Sequence, residues 1–411
     1  YPLASRLLIN NMCMLITIGF IMVTRLSYDQ SVKQFQICVI GTVIALIVPW
    51  LISKLKFITK FAVVYAILGI GLLVAVAVMA TVTNGAKLSL TIAGITLQPS
   101  EFVKIIYVFC IAGMLSKSTE FSQIVKTTIL AAVHVLILVI STDLGSALIY
   151  FMTYLIMLYV ATRQPLYAVA GVGAGCGAAV IGYHIFSHIK VRVAAWQDPF
   201  ATYSNGGYQI AQSLFAIGSG GWFGTGLFKG QPDTIPVAET DLIFSAITEE
   251  IGMIFSLCLI LICVSCYVMF LNIAMELRNQ FYKLVALGLG TCYIFQVFLQ
   301  IGGVTKFIPL TGVTLPFVSY GGSSLLSTMI MFGIIQGLYI VREDEEAERE
   351  EKRRKKLQHE KNAKRREREL KDGSGRKTKK KSTTSDKPRF EEVPRQRTPK
   401  KARSHNQQRV R

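Results

Sequence analysis

Runs of about twenty apolar residues, broken by short polar punctuation, recur along the chain until about position 341. A bilayer's hydrocarbon core is about 30 Å thick and takes about 20 residues of helix to cross. The pattern predicts spans at 7–24, 35–51, 61–81, 99–115, 124–141, 144–161, 166–187, 251–271, 284–303 and 323–341. The expectation is an all-α membrane protein of about ten transmembrane helices, with a long extracellular loop between spans 7 and 8. That loop, 188–250, is rich in aromatic residues and glycine, and loops of such length usually carry function.

An even number of spans puts both termini on one side. Lys54, Lys56, Lys60, Lys117, Lys126, Arg163, Arg278 and Lys283 fall in the connections on that side, which marks it as cytoplasmic. Arg25, Lys33 and Lys87 fall on the other side and weaken the bias without reversing it. The expected location is the bacterial cytoplasmic membrane, crossed many times.

Composition sharpens this picture by splitting the chain in two. Of 411 residues, 52% are hydrophobic and 17% charged. From 342 to 411 there are about 27 Lys and Arg against about 14 Asp and Glu, so about +13 of the formal +19 belongs to this tail. Two domains are therefore expected: a polytopic unit, 1–341, and a basic cytoplasmic tail, 342–411. The tail opens as a mixed-charge helix, with opposite charges three and four apart and no apolar face. Beyond Gly373 it turns to Lys, Ser, Thr and Pro, a composition of disorder. Such a tail beside a membrane suits anionic headgroups; nucleic acid is not an expected partner.

The eight cysteines lie in or beside apolar runs and read as small core residues. Cys263 and Cys266 stand one helical turn apart, but no histidine accompanies them, as a metal site would require. No metal-ligand cluster is evident, although a divalent cation is compatible with the chemistry below. The chain starts at Tyr1 with neither methionine nor a cleavable signal pattern, as a piece of a longer protein would.

Four stretches on the non-cytoplasmic side carry a resemblance. They are Gln98-Pro-Ser-Glu-Phe-Val-Lys104, Asp143-Leu-Gly-Ser-Ala147, Ile235-Pro-Val-Ala-Glu-Thr-Asp-Leu-Ile-Phe244 continuing to Glu249-Glu-Ile-Gly252, and Pro309-Leu-Thr-Gly-Val-Thr-Leu-Pro-Phe-Val-Ser-Tyr-Gly-Gly-Ser-Ser324. In this order and at these depths the chain resembles the SEDS family (shape, elongation, division and sporulation) of bacterial peptidoglycan glycosyltransferases, from Leu7 to Val341. It departs from the family's usual residues at Lys87 and Leu88, at Ser141 and Thr142, and at Gln300. The resemblance implies polymerisation of lipid II, in which the 4-hydroxyl of one glycan attacks C1 of another and releases undecaprenyl pyrophosphate. It also implies a class B penicillin-binding protein as partner.

That chemistry needs a base for the hydroxyl and positive charge or aligned amides for the leaving group. Asp241 occupies the family's essential aspartate position and is the candidate base; the plain alternative is that Thr240 or Asp241 caps a helix. Glu249 and Glu250 read as structural carboxylates at the head of the eighth span, favoured there by the helix dipole. Glu101 and Lys104, three apart inside an apolar span, form a pair lining a cavity or bracing the bundle. Asp143 is a candidate partner of Arg192 or of a metal. Arg192, with Lys190 and Lys229 as weaker choices, is the candidate phosphate ligand, against an ion pair with Asp198. Ser319, Gly321, Gly322 and Ser323 open the last span, where successive amides can hold an anion or simply start a helix.

The glycine-rich stretch 218–226 follows no strand and is not a nucleotide loop. It reads as the tight end of a re-entrant half-helix, 208–217, with Trp222 at headgroup level. Two rival readings stand beside a polymerase: a lipid II flippase, which would concentrate polar groups at mid-bilayer, and a noncatalytic scaffold, which needs no acidic and basic constellation.

Overall fold

The computed structural model describes residues 4–54, 61–79, 90–92 and 95–377. Lys56, Lys60, Lys87 and Leu88, and the tail beyond 377, lie outside the described residues. The chain divides into two compact units, Tyr1–Ala347 and Glu348–Arg411.

The first unit is a helical bundle. Its spans are α1 (Arg6–Leu26), α2 (Tyr28–Lys54), α3 (Ala62–Met79), α4 (Pro99–Leu115), α5 (Phe121–Ile140), α6 (Leu144–Thr162) and α7 (Pro165–Ile185). After α8 (Ser187–Gln197), α9 (Tyr208–Gly220) and α10 (Ile243–Ile251) come α11 (Met253–Glu276), α12 (Gln280–Val304) and α13 (Gly322–Lys377). Nine helices among the described residues are long and apolar enough to cross a membrane. The tenth expected span is α4, at 17 residues. Beside the helices, β1 (Leu90–Ile92) and β2 (Ile95–Leu97) form one short antiparallel pair, with Leu90 opposite Leu97.

Helices run past several expected ends because helix does not stop where hydrocarbon stops. α2 begins at Tyr28, and its first turns carry Asp29 and Lys33. α13 continues through Val341, sustained in the second unit by pairs four apart: Lys352 with Glu348, Arg354 with Glu350 and Lys355 with Glu351.

The core gathers around α12, which packs on α11, α6 and α4. Its buried side chains include Tyr293, which meets Phe270 and Phe332 in edge and tilted ring contacts. By contrast, α7 packs chiefly on α6 and α8 and leaves its apolar side chains facing outward. That distribution fits lipid as the surrounding solvent, in which an exposed apolar surface costs nothing.

The long segment after α7 is mostly helical, and α9 packs on α10. The apolar run from 251 predicts Glu249 and Glu250 at the head of a span. Instead they close α10, and the span begins after a break at Gly252. Gly252 has φ +103°, and a Cβ there would lie 2.5 Å from the Gly224 nitrogen. Only glycine lets the two backbones approach this closely.

The 220–226 loop then satisfies both helix ends at the break. Thr225 and Gly226 donate N–H to the Glu249 and Glu250 carbonyls at 2.8 and 2.9 Å, while Met253 and Ile254 donate to the Gly221 and Trp222 carbonyls at 3.0 and 3.2 Å. In a membrane, orphaned backbone groups at such a break would be costly. Arg25 locks the same joint from α1: its Nε donates to Glu250 Oε1 at 3.2 Å and its guanidinium lies over the Phe228 ring. This partner explains an arginine on the side expected to be poor in positive charge.

Candidate active site

The N-terminal ends of α4, α6, α10 and α13, together with α8 and the 305–321 connection, meet at one end of the bundle. Three hydrogen bonds stitch several of them together, and a fourth caps α6. Gln98 donates its N–H to Ser323 Oγ at 2.9 Å, joining the starts of α4 and α13. Ser100 Oγ donates to Asp143 Oδ2 at 3.0 Å, joining α4 to α6. Asp143 Oδ1 accepts the Ser146 N–H at 3.0 Å and so caps α6. Arg192 Nη1 donates to the Thr311 carbonyl at 3.0 Å, tying α8 to the connection.

Asp241 sits partly exposed at this end, two residues before α10. It does not cap the helix: Leu242 holds the cap position, and no side chain bonds there. Thr240 Oγ1 turns back to the Val237 carbonyl. The turn bearing Asp241 is instead held from outside by three consecutive carbonyls. The Glu239 carbonyl accepts the Tyr320 N–H at 2.7 Å, the Thr240 carbonyl accepts Ser319 Oγ at 2.6 Å, and the Asp241 carbonyl accepts Gln300 Nε2 at 3.2 Å. Val237, a β-branched residue with φ +48°, carries strain at the entry to this turn.

With its backbone fixed, the Asp241 carboxylate reaches the connection. Gly312, at φ +74°, has no Cβ; one built there would stand 3.4 Å from Asp241 Oδ2. Burial raises the Asp241 carboxyl to about 6, Arg192 opposes that rise, and Glu239 adds to it. A carboxylate poised near 6 is largely ionised at neutral pH yet basic enough to take a proton. Burial lowers Arg192, while Asp143 and Asp241 counter this.

Arg192 makes no ion pair with Asp198, whose Oδ1 instead accepts the N–H groups of Phe200 and Ala201 at 3.1 and 2.9 Å. Nor does it pair directly with Asp143, which is occupied by Ser100 and Ser146 and felt only through its field. Arg192 Nη1 also reaches the Leu310 carbonyl, at 3.4 Å, so one nitrogen anchors the connection. Nε and Nη2 have no acceptor among the described residues. Lys190 and Lys229 are exposed and away from these contacts.

Beneath this end lies the buried pair. Lys104 Nζ donates to Glu101 Oε2 at 2.5 Å and to Gln296 Oε1 at 2.7 Å, and Ser327 Oγ donates to the same Glu101 oxygen at 3.0 Å. Gln296 Nε2 donates onward to the Thr314 carbonyl and to Ser324 Oγ. The pair thus belongs to a network that links α4, α12 and α13 to the connection. Sequence reasoning passed over Gln296. Its signal was available: Gln296 and Gln300 are four apart in an apolar span, on one helix face.

Ser319, read as a contact for substrate, has its hydroxyl committed to Thr240 and to the Leu315 N–H at 2.8 Å, so it positions the turn. Ser323 is likewise engaged by Gln98. Gly321 and Gly322 enter α13 beside Thr314 and Ile37 respectively, where a Cβ would crowd those side chains. No group of three or more metal-binding side chains occurs among the described residues.

A family model described as cell cycle protein, covering FtsW, RodA and SpoVE, matches residues 5–343. Peptidoglycan glycosyltransferase RodA of Mycobacterium leprae is 33% identical over 360 residues, covering 81% of this chain and 77% of that protein. The same-named protein of Mycobacterium tuberculosis is 38% identical over 268 residues, covering 61% of this chain and only 57% of the relative. Among solved structures, a chain from one described as the structural coordination of polymerization and crosslinking by a peptidoglycan synthase complex superposes with a TM-score of 0.71. It is 21% identical and covers 82% of this chain and 98% of that one, which establishes a shared fold.

Proposed function

The chain belongs to the FtsW, RodA and SpoVE family of cell cycle proteins, and from that premise we propose that it is a peptidoglycan glycosyltransferase that polymerises lipid II. The observation that carries the proposal is the convergence of Asp241 and Arg192 on residues 310–312.

Asp241 takes the proton from the sugar 4-hydroxyl as that oxygen forms its bond to C1 of the neighbouring glycan. The bond from C1 to the pyrophosphate oxygen breaks, and Arg192 offers Nε and Nη2 to the departing anion. A guanidinium suits this role because its fixed fork matches phosphate oxygens. Asp143, Lys104 and Glu101 hold the cleft that receives the substrate, and Ser319, Gly321, Gly322 and Ser323 shape its edge. The site faces the outside of the cytoplasmic membrane and both termini face the cytoplasm. Lys117, Arg163 and Arg278, at the bundle end opposite Asp241, support that orientation. A class B penicillin-binding protein crosslinks the product, and the basic tail attracts anionic lipids.

The test is purified protein with its transpeptidase partner, supplied with labelled lipid II. Asp241→Asn should abolish strand formation while the protein elutes as a folded species. Continued polymerisation by that variant defeats the assignment. Transfer of lipid between leaflets without joined sugars would instead identify a flippase.

A further inference from the structure

A polar cavity of about 320 Å3 opens between α9 and the 225–234 turn. Gln212, Phe215, Ser219, Thr225, Lys229 and Glu249 line it. None of these residues belongs to the Asp241 constellation. Glu249 lies seven residues beyond Leu242 along α10, about 10 Å at 1.5 Å per residue.

Two charged groups in this cavity lack counterparts. Glu249 is only 7% exposed. Its Oε1 accepts the Gln231 N–H at 2.8 Å, whereas its buried Oε2 has no hydrogen-bond partner among the described residues. A buried carboxylate oxygen without a donor is among the costlier arrangements in a protein, and it asks for an N–H or O–H from a ligand. Lys229, exposed on the same cavity, forms no ion pair among the described residues.

The surroundings indicate the depth. Trp222, Phe223 and Phe228 on the adjoining loop are 65%, 84% and 70% exposed. Phe215, on the cavity wall, packs against Phe200 at 5.7 Å between centroids and is also largely exposed. An exposed tryptophan such as Trp222 marks the headgroup level, and the exposed phenylalanines beside it offer apolar surface to acyl chains. At that level a lone anion would meet Glu249 and a lone cation would meet Lys229. A ligand carrying both charges, with N–H groups on the positive one, satisfies both.

We propose that this cavity binds the headgroup of a zwitterionic aminophospholipid, its primary ammonium on Glu249, its phosphate on Lys229 and its chains against the exposed aromatics. The site is independent of the polymerisation reading, because lipid retention is measured without turnover.

The full chain in mild detergent is offered phosphatidylethanolamine, phosphatidylcholine and N-acetylated phosphatidylethanolamine, and retained lipid is counted by native mass spectrometry. Wild type should retain the primary amine about tenfold over the other two, the effect of one charge-assisted hydrogen bond. Glu249→Gln should remove that preference. Lys229→Met, a change at an exposed position that leaves the fold alone, should lower retention of phosphatidylethanolamine and phosphatidylcholine alike. Equal retention of the amine and its acetylated form by wild type overturns the proposal, and so does an undiminished preference in folded Glu249→Gln protein.

Discussion

Arg192 and Asp241 meet at one short stretch of backbone: the guanidinium donates to the carbonyls of Leu310 and Thr311, and the carboxylate lies against Gly312. The first group is a cation with spare donors, the second a carboxylate raised by burial, and each tempers the other's shift.

The raised carboxyl gives a pH signature. Turnover should climb through about pH 6 as Asp241 ionises and level off above it. Because the folded-state value lies above the unfolded one of 3.8, ionisation costs stability: this group's contribution is full below 3.8 and is lost as pH rises towards 6. Asp241→Asn should therefore lose about 100-fold or more in polymerisation, while melting no lower than wild type at pH 8. A melting curve that drops sharply at pH 8 in the variant would show that the ionised side chain holds the fold.

Arg192 should behave differently from a simple charge. Arg192→Lys keeps the cation but cannot both anchor the 310–311 carbonyls and present two further donors. A loss of about 10- to 100-fold in turnover is expected, of the order of one charge-assisted hydrogen bond. Wild-type rates in the lysine variant would remove the guanidinium from the leaving-group role.

The Glu101 and Lys104 pair should be asymmetric under mutation. Lys104→Met strands a buried carboxylate and should cost about 3–5 kcal/mol, whereas adding Glu101→Gln should restore much of it. Thermal unfolding of both single variants and the double one in detergent measures the coupling. Additive losses would mean that the two side chains act separately.

Gly252→Ala places a Cβ 2.5 Å from a backbone nitrogen, at a φ that side chains rarely adopt. The neighbouring atoms are backbone and cannot swing away. Folded yield should fall steeply, and Gly71→Ala in α3, where a Cβ meets open space, should leave it unchanged. Fluorescence-detected size exclusion compares the two.

Most of the bundle was legible because hydrocarbon imposes a length and a polarity that local sequence cannot evade. The break at Gly252 was not, since an apolar run reads the same whether it continues one helix or starts another; this is why Glu249 and Glu250 were assigned to the wrong helix end. Asp241 and Arg192 are marked by the motifs they sit in, since residue type alone leaves Asp241 open between helix cap and base. Ser319 was harder, because a hydroxyl turned towards a ligand and one turned towards Thr240 leave the same letter. Gln296 escaped notice as a neutral residue whose cost is hidden until its partners are seen.

The joint at Gly252 has a mechanical consequence. A long rod such as α11 must lean over when the bilayer thins, and a continuous helix would carry Asp241 along with it. Here α10 ends short and hangs from the 220–226 loop, while Ser319, Tyr320 and Gln300 moor its far end to the rest of the site. Because the helix axis is interrupted at Gly252, a lean of α11 is not passed on through one continuous rod, and the moorings at the far end of α10 set the place of Asp241 beside Gly312.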